Sequence, residues 1–195
     1  MTVQLTWPEK VKGLPRTLDR FQAASAFFDL KYPTFLQASI DARKWTSWAS
    51  LSAIASIPEV IEYDLENLGL LDAWKKSAEL IQIRANKTFA ILKEIRNYEM
   101  HIEYQDRISH SAADIAQIRE PIDHDSFFFS PVSWNEFQML KNIRFGRSIV
   151  DQAALMEFNA YARQYSVRTI VDQMLEWLAD RVQSFMSGHT QPSPP

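Results

Sequence analysis

The sequence predicts an all-α fold, an antiparallel helical bundle with extra helices towards the C-terminal end. Three observations support this class. A stripe of apolar residues at helical spacing runs from Trp74 to Ile95, helix-capping patterns precede two segments, and only 4 of the 195 residues are glycine. Folds made of β-sheet need many short strands and glycine-rich turns. We therefore expect no sheet larger than one short hairpin.

The first part of the chain is predicted to contain an irregular arm and two helices. Residues 1–16 hold two prolines and a glycine, which favours an irregular arm. A helix is expected from Thr17 to about Lys31, where Pro33 ends it, because the residue before proline avoids helical geometry. A second helix is expected from Thr34 to about Ala55.

A short helix and a long one follow. Ser56 and Glu59 match a capping box, and Gly69 is expected to end the helix that starts there. The longest helix is predicted from about Asp72 to Tyr104. Its apolar stripe consists of Trp74, Ala78, Ile81, Ala85, Thr88, Leu92 and Ile95.

The C-terminal half is predicted to be an irregular stretch followed by three helices. Residues 105–132 are interpreted as a loop with a brief helix, and Ser133 and Glu136 match a second capping box for a helix to about Ile143. Further helices are expected at about 151–165 and 167–186, the last with Ile170, Met174, Leu178, Val182 and Phe185 on one face. The predicted organisation is one domain over 17–186 and a disordered tail over 187–195.

Composition excludes several functional classes. The formal net charge is -3, so nucleic-acid binding would need a local basic patch. The chain has no cysteine, which excludes disulfides and thiolate chemistry and fits a cytoplasmic location. We find no signal peptide, membrane-spanning run, Walker-type loop or dinucleotide fingerprint, so we expect no membrane partner and no cofactor.

The four histidines do not have the spacing of a helical metal site, and we predict no metal centre. A loop site that joins His124 to Asp123 or Asp125 is one alternative, and solvated loop side chains are the other. Trp45, Trp48 and Trp74 could form a binding surface, but core packing is the simpler interpretation, since tryptophans at helical spacing mostly bury.

The chemically suggestive cluster is Arg96-Asn97-Tyr98-Glu99-Met100-His101, near the end of the long predicted helix. Asn97 and His101 are four residues apart and share a helix face, and the long side chain of Arg96 can reach around the rim. A guanidinium binds phosphate oxygens through paired hydrogen bonds, and an imidazole transfers protons near neutral pH. The cluster therefore suits phosphodiester chemistry. The structural alternative is an arginine at a polar helix edge and a histidine that interacts with the helix dipole.

The segment from Leu92 to His101 resembles the signature of the HEPN superfamily, in which an arginine, a polar residue and a histidine end a long helix. The resemblance implies a helical bundle of HEPN type that dimerises and brings two Arg/His pairs into one cleft. Active members of this superfamily are metal-independent endoribonucleases of toxin–antitoxin, phage-defence or RNA-processing type, and other members have lost catalysis and serve as binding modules. Transferred residue by residue, Arg96 would stabilise the phosphate, Asn97 would orient the site and His101 would transfer protons.

Binding of RNA also requires basic residues near the motif. The candidates are Lys93, Arg107, Arg144 and Arg147. The segment 142–147 interleaves an aromatic residue with cations, which can stack a base and hold a phosphate, although a solvated helix end has the same composition. Negative residues surround the motif and oppose polyanion binding, namely Glu94, Glu99, Glu103 and Asp106.

Two hypotheses follow. The first is a homodimeric enzyme that cleaves an RNA substrate by attack of the ribose 2′-hydroxyl and that pairs with an antitoxin or defence protein. The second is a helical binding or dimerisation module without catalysis, in which the motif residues are structural.

Overall fold

The computed structural model describes residues 5–27, 48–101, 108–109, 117–120, 128–143 and 149–189. These residues are mostly helical, and their only strands are a two-residue antiparallel pair in which Ile108 pairs with Phe129. The all-α prediction is confirmed for this part of the chain. Within these residues, no helix has the length and the apolar character that a membrane span requires.

The elements are numbered in chain order. They are α1 (Trp7–Val11), α2 (Pro15–Ala26), α3 (48–55), α4 (Ile57–Asn67), α5 (Leu71–Lys75), α6 (Ala78–Ala85), α7 (Lys87–His101), β1 (Ile108–Ser109), β2 (Phe128–Phe129), α8 (Trp134–Ile143), α9 (Gln152–Ala162) and α10 (Val167–His189).

The N-terminal arm is more ordered than its sequence suggests. Residues 7–11 form α1 in place of the irregular segment that was expected, and α2 begins at Pro15 rather than at Thr17. Both prolines that favoured an irregular arm lie in the first turn of a helix, where proline is tolerated. The cap of α1 comes from Glu176 on α10, a partner that no local pattern reveals.

Helix α4 begins differently from the prediction but ends as predicted. The capping box at Ser56 and Glu59 is wrong, because the Ser56 hydroxyl donates to the carbonyl oxygen of Ala53 at 2.8 Å and makes no cap. Helix α3 ends directly before Ser56, so this residue keeps near-helical angles and its hydroxyl bonds back to the preceding turn. Gly69 does end α4. It has a φ of 71°, and the Leu70 N–H donates to the Leu65 carbonyl in a Schellman motif.

The long helix predicted from Asp72 to Tyr104 is instead three helices, α5, α6 and α7. Ser77 and Asn86 have extended backbones, and each caps the helix that follows by accepting an N–H, from Leu80 at 3.1 Å and from Phe89 at 2.8 Å. Both residue types are strong N-caps, a signal that the apolar stripe obscured.

The two breaks change which face of the chain is buried. In α6 the core residues are Leu80 and Ile83, whereas the predicted core residue Ile81 is 63% exposed. Ala78 and Ala85 are exposed as well. The stripe is correct only at its two ends, where Trp74, Leu92 and Ile95 are buried.

Helix α10 is the centre of the core. Its predicted face is confirmed, since Ile170, Met174, Leu178, Val182 and Phe185 are all buried. It packs against α1, α2 and α6, and Trp74 meets Phe185 edge to face with their ring centroids 5.0 Å apart. Trp74 is therefore a core residue. Trp48 is half-buried, and Trp45 lies outside the described residues.

The C-terminal helices begin as the sequence indicates. The capping box of α8 is confirmed, with the Ser133 hydroxyl accepting the Glu136 N–H and the Glu136 carboxylate accepting the Ser133 N–H. Asp151 caps α9 by accepting the Ala154 N–H at 2.8 Å. Helix α10 extends to His189, so residues 187–189 of the predicted tail are helical, while residues 190–195 lie outside the described part.

Candidate functional site

Helix α7 carries the predicted motif and is anchored along one side. Asn86 caps its first turn, and its buried residues Phe89, Leu92 and Ile95 belong to the main core. The helix packs against α6 and α9. The motif from Arg96 to His101 forms the last six residues of this helix and follows directly after buried Ile95.

The three predicted catalytic residues are described to different extents. Arg96 is partly buried and is not without an interaction partner. Asn97 and His101 lie in the helical backbone of α7, but their side chains are outside the described residues. The predicted meeting of the three side chains in one cleft therefore stays a prediction.

Among the predicted RNA-binding residues, Lys93 is the one in the described part. It is partly buried on α7, and its Nζ lies 5.7 Å from the centroid of the Phe89 ring. Arg107, Arg144 and Arg147 lie outside the described residues.

A groove of about 350 Å³ lies between α4, α6 and α7, next to the motif. Its apolar lining consists of Pro58, Leu80, Ile83, Phe89, Ala90 and Ile149. Its polar lining consists of Glu59, Glu62, Arg84, Asn86, Lys93 and Glu94. Sequence reasoning missed this groove, because its walls come from separate helices and form only where the chain breaks at Asn86.

The groove has a mixed electrostatic character. Three carboxylates and two cations line it, and the closest pair, Arg84 and Glu62, is 3.7 Å apart. The Arg84 side chain is 67% exposed, so solvent screens this ion pair strongly. The apolar floor is nevertheless well buried, with Leu80 and Ile83 each 2% exposed. Ile149 in the same lining is 42% exposed, so the groove can hold an apolar group against this side chain and offer both hydrogen-bond acceptors and cations nearby.

Two buried or partly buried carboxylates outside the groove have structural roles. Asp64 is 3% exposed, and its Oδ2 accepts the N–H and the hydroxyl of Thr17 at the start of α2. Glu176 accepts the N–H groups of Thr6 and Trp7 and the ammonium of Lys10. Burial raises the pKa of Glu176, but the hydrogen bonds from Lys10 and Thr6 outweigh burial and leave this pKa below its ordinary value.

Tyr161 on α9 also has a displaced pKa. Burial, together with nearby Tyr165 and Glu120, raises the pKa of Tyr161 to about 12. Its hydroxyl donates to Gln173 on α10. The phenol stays protonated at neutral pH, so Tyr161 acts as a link between α9 and α10 and is unsuited to be a base.

In the described part of the chain, no three His, Asp or Glu side chains group together as metal ligands would. The alternative site at His124 with Asp123 or Asp125 lies outside that part.

The chain was compared with protein-family models, with curated proteins and with solved structures, and none of them matches it.

Proposed function

We propose that this chain is a HEPN-type helical protein whose Arg96, Asn97 and His101 cleave RNA without a metal ion. The supporting observation is the position of the motif on α7. Buried Ile95 anchors the helix immediately before Arg96, and the motif then completes the helix. A site on the end of an anchored helix holds its groups more firmly than a site on a loop.

The proposed reaction is an attack of a ribose 2′-hydroxyl on the adjacent phosphorus. The bond from phosphorus to O2′ forms, the bond to the leaving O5′ breaks, and the products are a 2′,3′-cyclic phosphate and a 5′-hydroxyl end. His101 takes the proton from O2′ or gives one to O5′. Arg96 stabilises the negative charge that develops on the phosphate oxygens.

A homodimer belongs to this proposal. One histidine can serve as the base or as the acid, and a second copy supplies the other role if the ends of the two α7 helices meet. Light scattering at high micromolar concentration should report a dimer, and a protein that stays monomeric would contradict this part. The proposal also includes a cytoplasmic location and an antitoxin or defence protein as partner.

The test is cleavage of RNA in a buffer that contains a metal chelator. His101→Ala should lower the rate by about a hundredfold to ten-thousandfold, the usual share of acid–base catalysis, and Arg96→Ala by about a hundredfold to a thousandfold, the usual share of one charge-stabilising donor. Arg163→Ala is the matched control, because Arg163 is an exposed arginine at the end of α9, and its rate should be unchanged. Full activity in His101→Ala, or a wild type that cleaves no RNA, would refute the catalytic assignment.

A second candidate function is a binding module without catalysis. The groove favours it, because its three carboxylates outnumber its two cations and leave no excess of positive charge for a long polyanion such as an RNA strand. In that case Arg96→Ala should lower the free energy of unfolding by about 1–3 kcal/mol, with no activity to lose. Melting curves of the same variants separate the two functions.

A further inference from the structure

We propose that the groove between α4, α6 and α7 binds one nucleotide of the RNA beside the cleavage site and prefers guanine as its base. This inference rests on the proposed function and names the substrate feature that the site would select. Three features of the groove support it, namely its size, its hydrogen-bond acceptors and the position of Lys93.

The volume and the apolar lining of the groove suit a single nucleotide. The groove volume of about 350 Å³ is at the small end of small-molecule sites, which span roughly 300–1,000 Å³. Its apolar lining includes Ile149, which is 42% exposed and can cover one face of a planar base.

The carboxylates at the rim select among the bases. An ionised carboxylate only accepts hydrogen bonds, and it can accept two side by side. Guanine is the base that presents two adjacent donors, N1–H and N2–H, on one edge. Adenine and cytosine offer a single amino group there, next to an acceptor, and uracil offers one N–H between two acceptors. We assign this contact to Glu59, which lines the groove and is exposed in the first turn of α4.

Lys93 connects the groove to the motif. It lines the groove on α7 and comes three residues before Arg96, which is about 4.5 Å along the helix axis. An ammonium there can hold the phosphate that joins the bound nucleotide to the next one. Three carboxylates alone would attract a basic peptide. The groove also carries two cations, Lys93 and Arg84, which repel such a peptide.

The test is a calorimetric titration of the full chain with each of the four ribonucleoside 5′-monophosphates. We expect guanosine 5′-monophosphate to bind at least about tenfold more tightly than the other three, as expected for one hydrogen bond to a charged group. Glu59→Gln should remove this preference, because an amide cannot accept two hydrogen bonds side by side with one oxygen. Lys93→Ala should weaken all four nucleotides by a similar factor.

The matched control is Glu66→Gln, since Glu66 is also exposed on α4 but does not line the groove, and its preference should equal that of the wild type. Equal binding of the four nucleotides, or no binding of any, would overturn the inference. Arg96→Ala should keep the guanine preference, because binding needs no cleavage. Nucleotide binding without RNA cleavage would refute the proposed function alone, and cleavage without nucleotide binding would refute this inference alone.

Discussion

We expect Asp64→Ala to be among the most destabilising single substitutions outside the apolar core. Asp64 lies on α4, and its Oδ2 accepts the Thr17 N–H at 2.8 Å and the Thr17 hydroxyl at 2.9 Å. Thr17 is in the first turn of α2, where backbone N–H groups have no partner within the helix. Thr17 is fully buried, so water cannot replace the carboxylate.

The magnitude follows from the groups that lose their partner. A buried donor left without an acceptor costs about 1–3 kcal/mol, and Thr17 would have two such donors. The hydroxyl can rotate towards another acceptor, but the N–H cannot, so we expect a loss of about 2–4 kcal/mol. For a protein of 150–250 residues this corresponds to a fall in melting temperature of about 4–16 °C.

The assay is urea unfolding followed by circular dichroism, with melting curves as a second measure. Asp19→Ala is the control, because Asp19 is an exposed aspartate on α2, and its effect should stay within about 0.5 kcal/mol. Thr17→Val combined with Asp64→Ala should cost less than the sum of the two single changes, since both remove the same hydroxyl contact. A free energy of unfolding for Asp64→Ala equal to that of Asp19→Ala would refute the reasoning.

Two further predictions concern other caps. Glu176 has a lowered pKa in the folded protein, so its stabilising effect is present above its ordinary pKa of 4.5 and is lost as the pH falls through the lowered value. The difference in the free energy of unfolding between wild type and Glu176→Gln, measured by urea unfolding, should therefore be smaller at pH 3 than at pH 7. A difference that does not change with pH would contradict the role of Glu176 as a cap. Ser133→Ala should cost about 0.5–2 kcal/mol because it removes a working N-cap, whereas Ser56→Ala should cost clearly less, since its hydroxyl makes no cap. If chemical unfolding showed the same loss of free energy of unfolding for both variants, the different roles of the Ser133 and Ser56 hydroxyls would be contradicted.

Local signals in the sequence determined much of the secondary structure. The apolar face of α10, the capping box at Ser133 and the helix end at Gly69 depend on residues within a few positions of one another. Such patterns depend on helical periodicity and on backbone angles, which neighbouring residues determine without help from distant parts of the chain. The motif on α7 was visible for the same reason, because Arg96 and His101 belong to one continuous segment.

Only the tertiary structure showed which local cap signals break the apolar pattern and which surfaces meet. The capping residues Ser77 and Asn86 lie within a continuous apolar pattern, and the breaks there expose Ile81 while burying Leu80 and Ile83. The caps that Asp64 and Glu176 supply join positions 47 and 170 residues apart, and the groove draws its walls from α4, α6 and α7. The composition and periodicity of this chain determined that it would be helical. Contacts between distant segments decided the caps of α1 and α2 and the groove, because residues far apart along the chain can be neighbours in space.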